Sequence, residues 1–574
     1  MKTLAWGRTA AARRLAGLAA LLALSACDGE RGGGADKAPR GTDDQAVARR
    51  GGTAVVAENA DIQFPSPLFY TGNPDGDILD ILYMSLTRGA WQDGRLGYLL
   101  SDRSPMALAW HWEYARPDSA ALRFRMRSGL KWSDGQPITA HDVVFTYGAY
   151  ADTLVASPRQ ENVARIDSVV AENDSTVVFH FRQRYPEMIS DASLGILPRH
   201  VYGSVPPAEL KTHPSIARPE QLVVSGPFRI GQRQPGQQIT LVPNEHAATQ
   251  PLLDRIVIRV VPEPTTRLVE FRNGAVDFAR AISFDQVPGL RQQAPNVRFD
   301  SEAGRFWEYL GYNANKPMFA DAGVRRALGL AIDVPGLIQQ LRLGEFVTRA
   351  TGPYPPSMKD FHDPALRPLA YDTVEAKRLL EAAGWRDTDG DGIREKNGQP
   401  FRFTLITNAD NRRRMDVSQV LQRMWRVVGV EARLQGFELG TVQERQFFTH
   451  DFDVVLGSWG VELSGVLGPL FVPDAQLNFV GYENPQVTTL IRQAQGARTL
   501  AEAAPLWKGV AERIVQDQPY TWLYYYGPLT ARSARLQGVK VDAYGAYQNT
   551  WEWWVTDAPG RGAAADSAGS RTKG

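Results

Sequence analysis

Residues 108–147 read LAWHWEYARPDSAALRFRMRSGLKWSDGQPITAHDVVFTY, and this run passes from strand to turn to helix start. Leu122 to Arg127 alternates apolar and basic side chains, the period of a half-exposed strand. Trp132-Ser133-Asp134-Gly135 supplies turn chemistry directly after it. Thr139-Ala140-His141-Asp142 then reads as a helix start, with Thr139 capping and Asp142 in the first turn, where the macrodipole favours an acid. These residues are therefore expected to form the fold rather than touch a ligand.

Working outward, short strands and helices are mixed along the chain, which predicts an α/β construction. Further strands are expected at Thr53–Ala57, Val177–Phe181 and Arg255–Val261, and helices at Val324–Ile332, Thr373–Ala383 and Met415–Val428. Asp372 is a fitting N-cap for the second helix and Gly384 a fitting stop. Roughly 500 residues of ordinary apolar content are too many for one core, so two or three domains are expected.

The 108–147 stretch resembles the signature of the extracytoplasmic solute-binding proteins of family 5, the oligopeptide, dipeptide and nickel receptors of ABC importers. The resemblance continues in order through Ser225-Gly226-Pro227-Phe228, the run Phe271 to Asp277, Tyr312-Asn313, Val324 to Leu328, Ala331-Ile332-Asp333, Asp451-Phe452-Asp453 and Gly457-Ser458-Trp459. It implies a two-lobed α/β periplasmic-binding-protein fold, type II-like, with an extra inserted domain. On that pattern residues 51–85, 222–307 and 520–556 would form lobe I, residues 86–221 the inserted domain and residues 308–519 lobe II. The lobes would close about a hinge on a peptide or another small solute, held by strand-like hydrogen bonds, and no cofactor is expected.

Peptide-binding members of the family place an aspartate three residues after the tryptophan of the Gly-x-Trp strand end, where it pairs with the ligand's α-ammonium. Here that position is Glu462, which keeps the charge and reaches one methylene further. Leu463 to Gly468 departs from the acidic, proline-bearing continuation of peptide binders. Gly457, Ser458 and Trp459 are expected to line the cleft, and Asn59, Ala60 and Asp61 follow by the same carry-over. An oligosaccharide or metal-chelate receptor, or a degenerate receptor acting as a sensor or scaffold, stays open beside the peptide receptor.

The N-terminus speaks for export. Lys2, Arg8, Arg13 and Arg14 precede an apolar run from Leu15 to Leu24, long enough for a signal-peptide core and short of the roughly 20 residues a bilayer crossing needs. Leu24-Ser25-Ala26-Cys27 resembles a lipobox, so residues 1–27 are read as a lipoprotein signal ending at lipidated Cys27, the single cysteine of 574 residues. Asp28 resembles an inner-membrane retention signal. Residues 28–50 read as a flexible stalk and 557–574 as a disordered tail, since neither carries enough apolar surface to offset chain entropy. A net charge of +1 gives no field favouring nucleic acid. The expected partners are a solute, ABC permease subunits and, through the lipid alone, a membrane; the receptor is expected to be a monomer.

Asp387-Thr388-Asp389-Gly390-Asp391-Gly392 matches the first six positions of a calcium loop, and Glu395 falls at position nine. Gly398 stands where the bidentate glutamate belongs, so a structural turn is the favoured reading. Catalytic patterns fail. Ser128-Gly129-Leu130-Lys131 has no Lys-Thr-Gly partner, there is no Gly-x-Ser-x-Gly or His-Glu-x-x-His, and the eight histidines are scattered. The aromatic runs Tyr524-Tyr525-Tyr526 and Trp551 to Trp554 read as core strands rather than sugar platforms.

Overall fold

The computed structural model describes residues 48–72, 74–301 and 304–556. The lipobox cysteine Cys27, most of the expected stalk and the 557–574 tail lie outside the described residues.

The decisive stretch builds a four-stranded antiparallel sheet in the order Ala109–Tyr114, Ala121–Met126, Thr176–Phe181, Ile166–Asn173. Leu122, Phe124 and Met126 are buried while Arg125 is exposed, the two-residue alternation the sequence predicts. The following turn is clamped from outside. Ser133 donates its amide to the Val224 carbonyl at 2.8 Å and accepts the Val224 amide on Oγ at 3.0 Å. Trp132 is completely buried beneath it and Gly135 takes φ +88°, a conformation glycine adopts without a Cβ penalty. The helix Ala140–Ala151 opens with a capping box, the Thr139 amide donating to the Asp142 carboxylate at 2.8 Å. The second oxygen of Asp142 accepts the Arg199 amide at 2.8 Å, so one carboxylate starts a helix and pins a distant loop.

Two larger sheets carry the rest. A seven-stranded sheet runs Arg298–Ser301, Leu529–Arg532, Phe278–Ala279, Thr53–Glu58, Arg255–Val260, Gln238–Pro243, Phe228–Gln234. Thr53–Glu58 lies parallel to Arg255–Val260 and is buried along nearly its whole length, as a central strand must be. A six-stranded sheet runs Val347–Arg349, Tyr520–Tyr526, Phe306–Tyr312, Val454–Gly460, Arg402–Asn408, Glu431–Phe437. The chain passes between these sheets twice, from Ser301 to Phe306 and from Tyr526 to Leu529. Tyr520–Tyr526 pairs with Phe306–Tyr312, so the return to the first sheet comes at Gly527-Pro528.

Helix boundaries follow their caps. Asp372 accepts the Val374 and Glu375 amides at 3.0 and 2.8 Å, starting Thr373–Ala382, and Gly384 beyond its end takes φ +89°. The helix expected from Met415 begins earlier, at Arg412, because Asn411 caps it by accepting the Arg414 amide at 3.1 Å. That shift brings Arg413 and Arg414 into the first turn, at the end of the strand Arg402–Asn408. Among the described residues no helix is long and apolar enough to cross a membrane.

Candidate functional site: a polar cavity closed by Glu462

The strand Val454–Gly460 fixes the position of Glu462. Its last pair is Gly460 with Phe306, after which Val461 donates to the Arg305 carbonyl at 3.0 Å. The Glu462 carbonyl accepts the Gly465 amide at 2.8 Å. Gly465 sits at φ +78°, and a Cβ there would stand 2.3 Å from the Phe361 ring, so the tight turn requires glycine. The turn leaves the Glu462 side chain exposed, with no ion pair among the described residues.

Glu462 lines a cavity of about 280 Å³ whose other walls come from residues 67–98, 150–195 and Tyr544. Two of those walls carry cations. Arg88 is buried, with Nη2 ion-paired to Asp80 Oδ2 at 3.4 Å and Nε without a hydrogen-bond partner. Arg159 lies 3.9 Å over the Tyr70 ring, a cation–π contact. The hydroxyl of buried Tyr83 also lacks a hydrogen-bond partner. Burial pushes the Asp80 carboxyl up, and Arg88 opposes the shift. Burial holds the Tyr83 and Tyr150 phenols well above their usual range, and Tyr98 is pushed up to about 12. These phenols are neutral donors at ordinary pH.

The other expected ligand residues are placed elsewhere. Gly457 is buried, and a Cβ on it would meet the Tyr309 hydroxyl at 2.8 Å. The Trp459 ring stacks on Tyr309 with centroids 6.2 Å apart and packs against Phe447 and Phe479. Ser458 accepts Arg414 Nη2 on Oγ at 2.7 Å. That bond belongs to a buried cluster around Glu308, which is fully buried and accepts Arg414 Nε at 2.7 Å and Arg413 Nη2 at 2.9 Å. Asp61 accepts Arg233 Nη2 at 2.8 Å and the Gly236 amide at 2.9 Å, tying the end of the first strand to the Phe228–Pro243 hairpin. Asn59 and Ala60 are exposed at that strand end. Of the expected ligand residues, Glu462 alone is among the groups lining the cavity.

Arg88, Tyr83 and Glu308 escaped the sequence reading. Glu308 left a signal: it is the single acid in the otherwise apolar strand FWEYLGY, and a charge there must be paired. Arg88 left none, because its surroundings come from segments far apart in the chain.

Asp387, Asp389, Asp391 and Glu395 do converge, with carboxylate oxygens within 4.8 Å of one another. Their oxygens serve the loop's own backbone: Asp387 accepts the Gly390 and Gly392 amides at 2.8 and 3.1 Å, and Glu395 accepts the Thr388 amide at 2.8 Å. Gly398 stands in place of the twelfth ligand because it forms the two-residue turn of the Glu395–Pro400 hairpin with Asn397, at φ +72° and +54°. A wider depression of about 600 Å³ borders that hairpin, lined by Lys396, Arg402 and Arg433, and contains none of the expected ligand residues.

Comparison with known proteins agrees with this architecture. The sequence pattern described as bacterial extracellular solute-binding proteins, family 5 middle, matches residues 105–468. The oligopeptide-binding protein AppA of Bacillus subtilis is 27% identical over 540 residues, covering 93% of this chain and 96% of that protein. The nickel-binding periplasmic protein of Escherichia coli is 24% identical over 444 residues, covering 75% and 83%. The structure of Bacillus subtilis AppA in complex with a nonapeptide superposes with a TM-score of 0.71 at 27% identity, over 89% of this chain and all of that one. A two-lobed α/β body with a polar cavity closed from a strand end, matched by this family over most of its length, identifies the chain as a member of the family 5 bacterial extracellular solute-binding proteins, which are receptors rather than enzymes.

Proposed function

We propose that this protein captures a peptide in the cavity closed by Glu462 and presents it to the permease of an ABC importer. One observation carries the reading. Glu462, from the strand end of the six-stranded sheet, meets a wall built by residues 67–195 and Tyr544 around one polar chamber. In this reading the seven-stranded sheet centres lobe I, the six-stranded sheet, including Tyr520–Tyr526, centres lobe II, and residues 86–221 are the inserted domain. The short passage at 527–528 serves as part of the hinge. Glu462 pairs with the ligand's ammonium, and closing the lobes strengthens that pair by removing water. The similarity to an oligopeptide-binding protein supports the peptide as cargo.

Cys27 carries the lipid anchor, residues 28–50 give the monomeric receptor its reach, and Asp28 keeps it on the inner membrane. Tethering raises the effective concentration of receptor at the permease without any new contact. Native mass spectrometry of protein purified from its own host tests the cargo: a recovered peptide ladder supports the assignment, and a co-purified sugar or metal chelate overturns it. Growth with a tagged fatty acid tests the anchor, which requires label on the wild type and none on Cys27→Ser.

A further inference from the structure

Resting on the two lobes and the chamber proposed above, we infer that the hairpin Arg88–Leu99 is a latch that holds the lobes closed through contacts a ligand does not supply. Its strands Arg88–Gln92 and Arg95–Leu99 pair with each other and, among the described residues, with no other strand. A lone two-stranded hairpin is marginal in water, so what it packs on decides where it stands. Here it reaches both bodies. At its base Arg88, Gly89 and Tyr98 line the chamber beside Glu462. At its tip Asp93 and Gly94 turn at φ +49° and +77°, and the Gly94 carbonyl accepts the Lys359 amide at 2.9 Å. Arg95 Nε donates to Asp360 Oδ1 at 2.8 Å, and Trp91 packs on the lobe II core that includes Tyr354 and Phe361.

The tip is built for close approach. A Cβ on Gly94 would stand 2.6 Å from the Ser357 carbonyl oxygen, so glycine is required both by the turn and by the backbone that meets it. The ion pair is the weaker part, because the Arg95 side chain is 62% exposed and water screens it. Latch and chamber also share a wall. Leu463 and Ser464, which directly follow Glu462, border a small cavity of about 60 Å³ together with Trp91 and Leu96. A ligand that draws Glu462 inward therefore seats the same turn against the hairpin, while the protein contacts by themselves already favour closure. Such a latch raises the closed fraction for every ligand alike, whatever its termini.

Hydrogen exchange and small-angle X-ray scattering on the full chain, stripped of solute by unfolding and refolding, test the latch without any peptide. Gly94→Val should speed exchange of the Lys359 amide about two- to ten-fold, the range set by one net hydrogen bond, and should enlarge the radius of gyration. Arg95→Asp, which sets two acids face to face, should do both. Adding Asp360→Arg should restore the wild-type values, a rescue that a folding defect would not allow. That charge swap lies at an exposed tip and decides the question if Gly94→Val does not fold. Unchanged exchange in Gly94→Val, or a swap that restores nothing, overturns the latch. Faster exchange at an unchanged radius also overturns it, since the hairpin would then be a local prop with the lobes held elsewhere. The cargo stands apart from these outcomes: a co-purified sugar would overturn the peptide reading and leave the latch in place.

Discussion

Arg414 and Arg88 are both largely shielded arginines beside an acid, and they are held with different firmness. Arg414 gives Nε to Glu308 at 2.7 Å, Nη1 to Asn408 at 2.7 Å and Nη2 to Ser458 at 2.7 Å, so the Gly457-Ser458-Trp459 strand end is locked to the helix that starts at Arg412. Arg88 sets Nη2 3.4 Å from Asp80 Oδ2 in a longer ion pair, and its Nε has no hydrogen-bond partner. Short, charge-assisted hydrogen bonds like those of Arg414 fix local geometry. A single longer ion pair holds its surroundings less firmly. By that criterion Ser458 is a brace of the strand end.

The largest expected effect comes from breaking the Glu308 cluster. Glu308→Ala would strand Arg413 and Arg414 beside one another without their acid, and should cost about 3–5 kcal/mol, read as a lower midpoint in chemical denaturation. A loss under about 1 kcal/mol would mean the cluster is not the brace described here.

Asp191 offers a third case, a buried acid whose side chain is held by a phenol. Its carboxylate accepts the Tyr185 hydroxyl at 2.6 Å, and burial raises its pKa from 3.8 to about 6. The folded state therefore binds the proton more tightly than the unfolded chain, so stability should fall as pH rises from about 4 to about 6 and then level off. Asp191→Asn should flatten that slope, removing up to about 3 kcal/mol of pH dependence in melts across the window. An unchanged slope would place the proton elsewhere.

At the site, Glu462→Gln should weaken a free-amine peptide by about 1–3 kcal/mol while leaving the melting temperature unmoved, since Glu462 is exposed and makes no ion pair among the described residues. Smallest of all, Ser458→Ala should lower stability by about 1 kcal/mol, with affinity unchanged. Lost affinity with intact stability would reverse the comparison and return Ser458 to the cleft.

Much of the architecture was legible in the residues. The alternation at Leu122–Arg127, the capping acids Asp142 and Asp372 and the glycine turns are local devices, and each lies where its chemistry requires. The helix start at Arg412 was missed because Asn411 outweighs the apolar periodicity that begins at Met415. The acidic loop shows the same limit. Its aspartates alternate as in a calcium site, but the demand for a positive φ at Gly398 comes from the hairpin that follows.

The site divides along a similar line. The 108–147 stretch by itself determined its own strand, turn and helix start, because capping, turn and strand period are short-range and cooperate within one segment; the fold of the whole chain came from its resemblance to the family. Glu462 was legible too, through its fixed offset from Trp459. Tertiary structure decided that Trp459, Ser458 and Gly457 turn into packing against Tyr309 and Arg414, and that Arg88 is buried beside Asp80 in the cavity wall. Whether a polar group is satisfied depends on every segment that surrounds it, and for Arg88 those segments range from Leu79 to Tyr544. No local pattern encodes that.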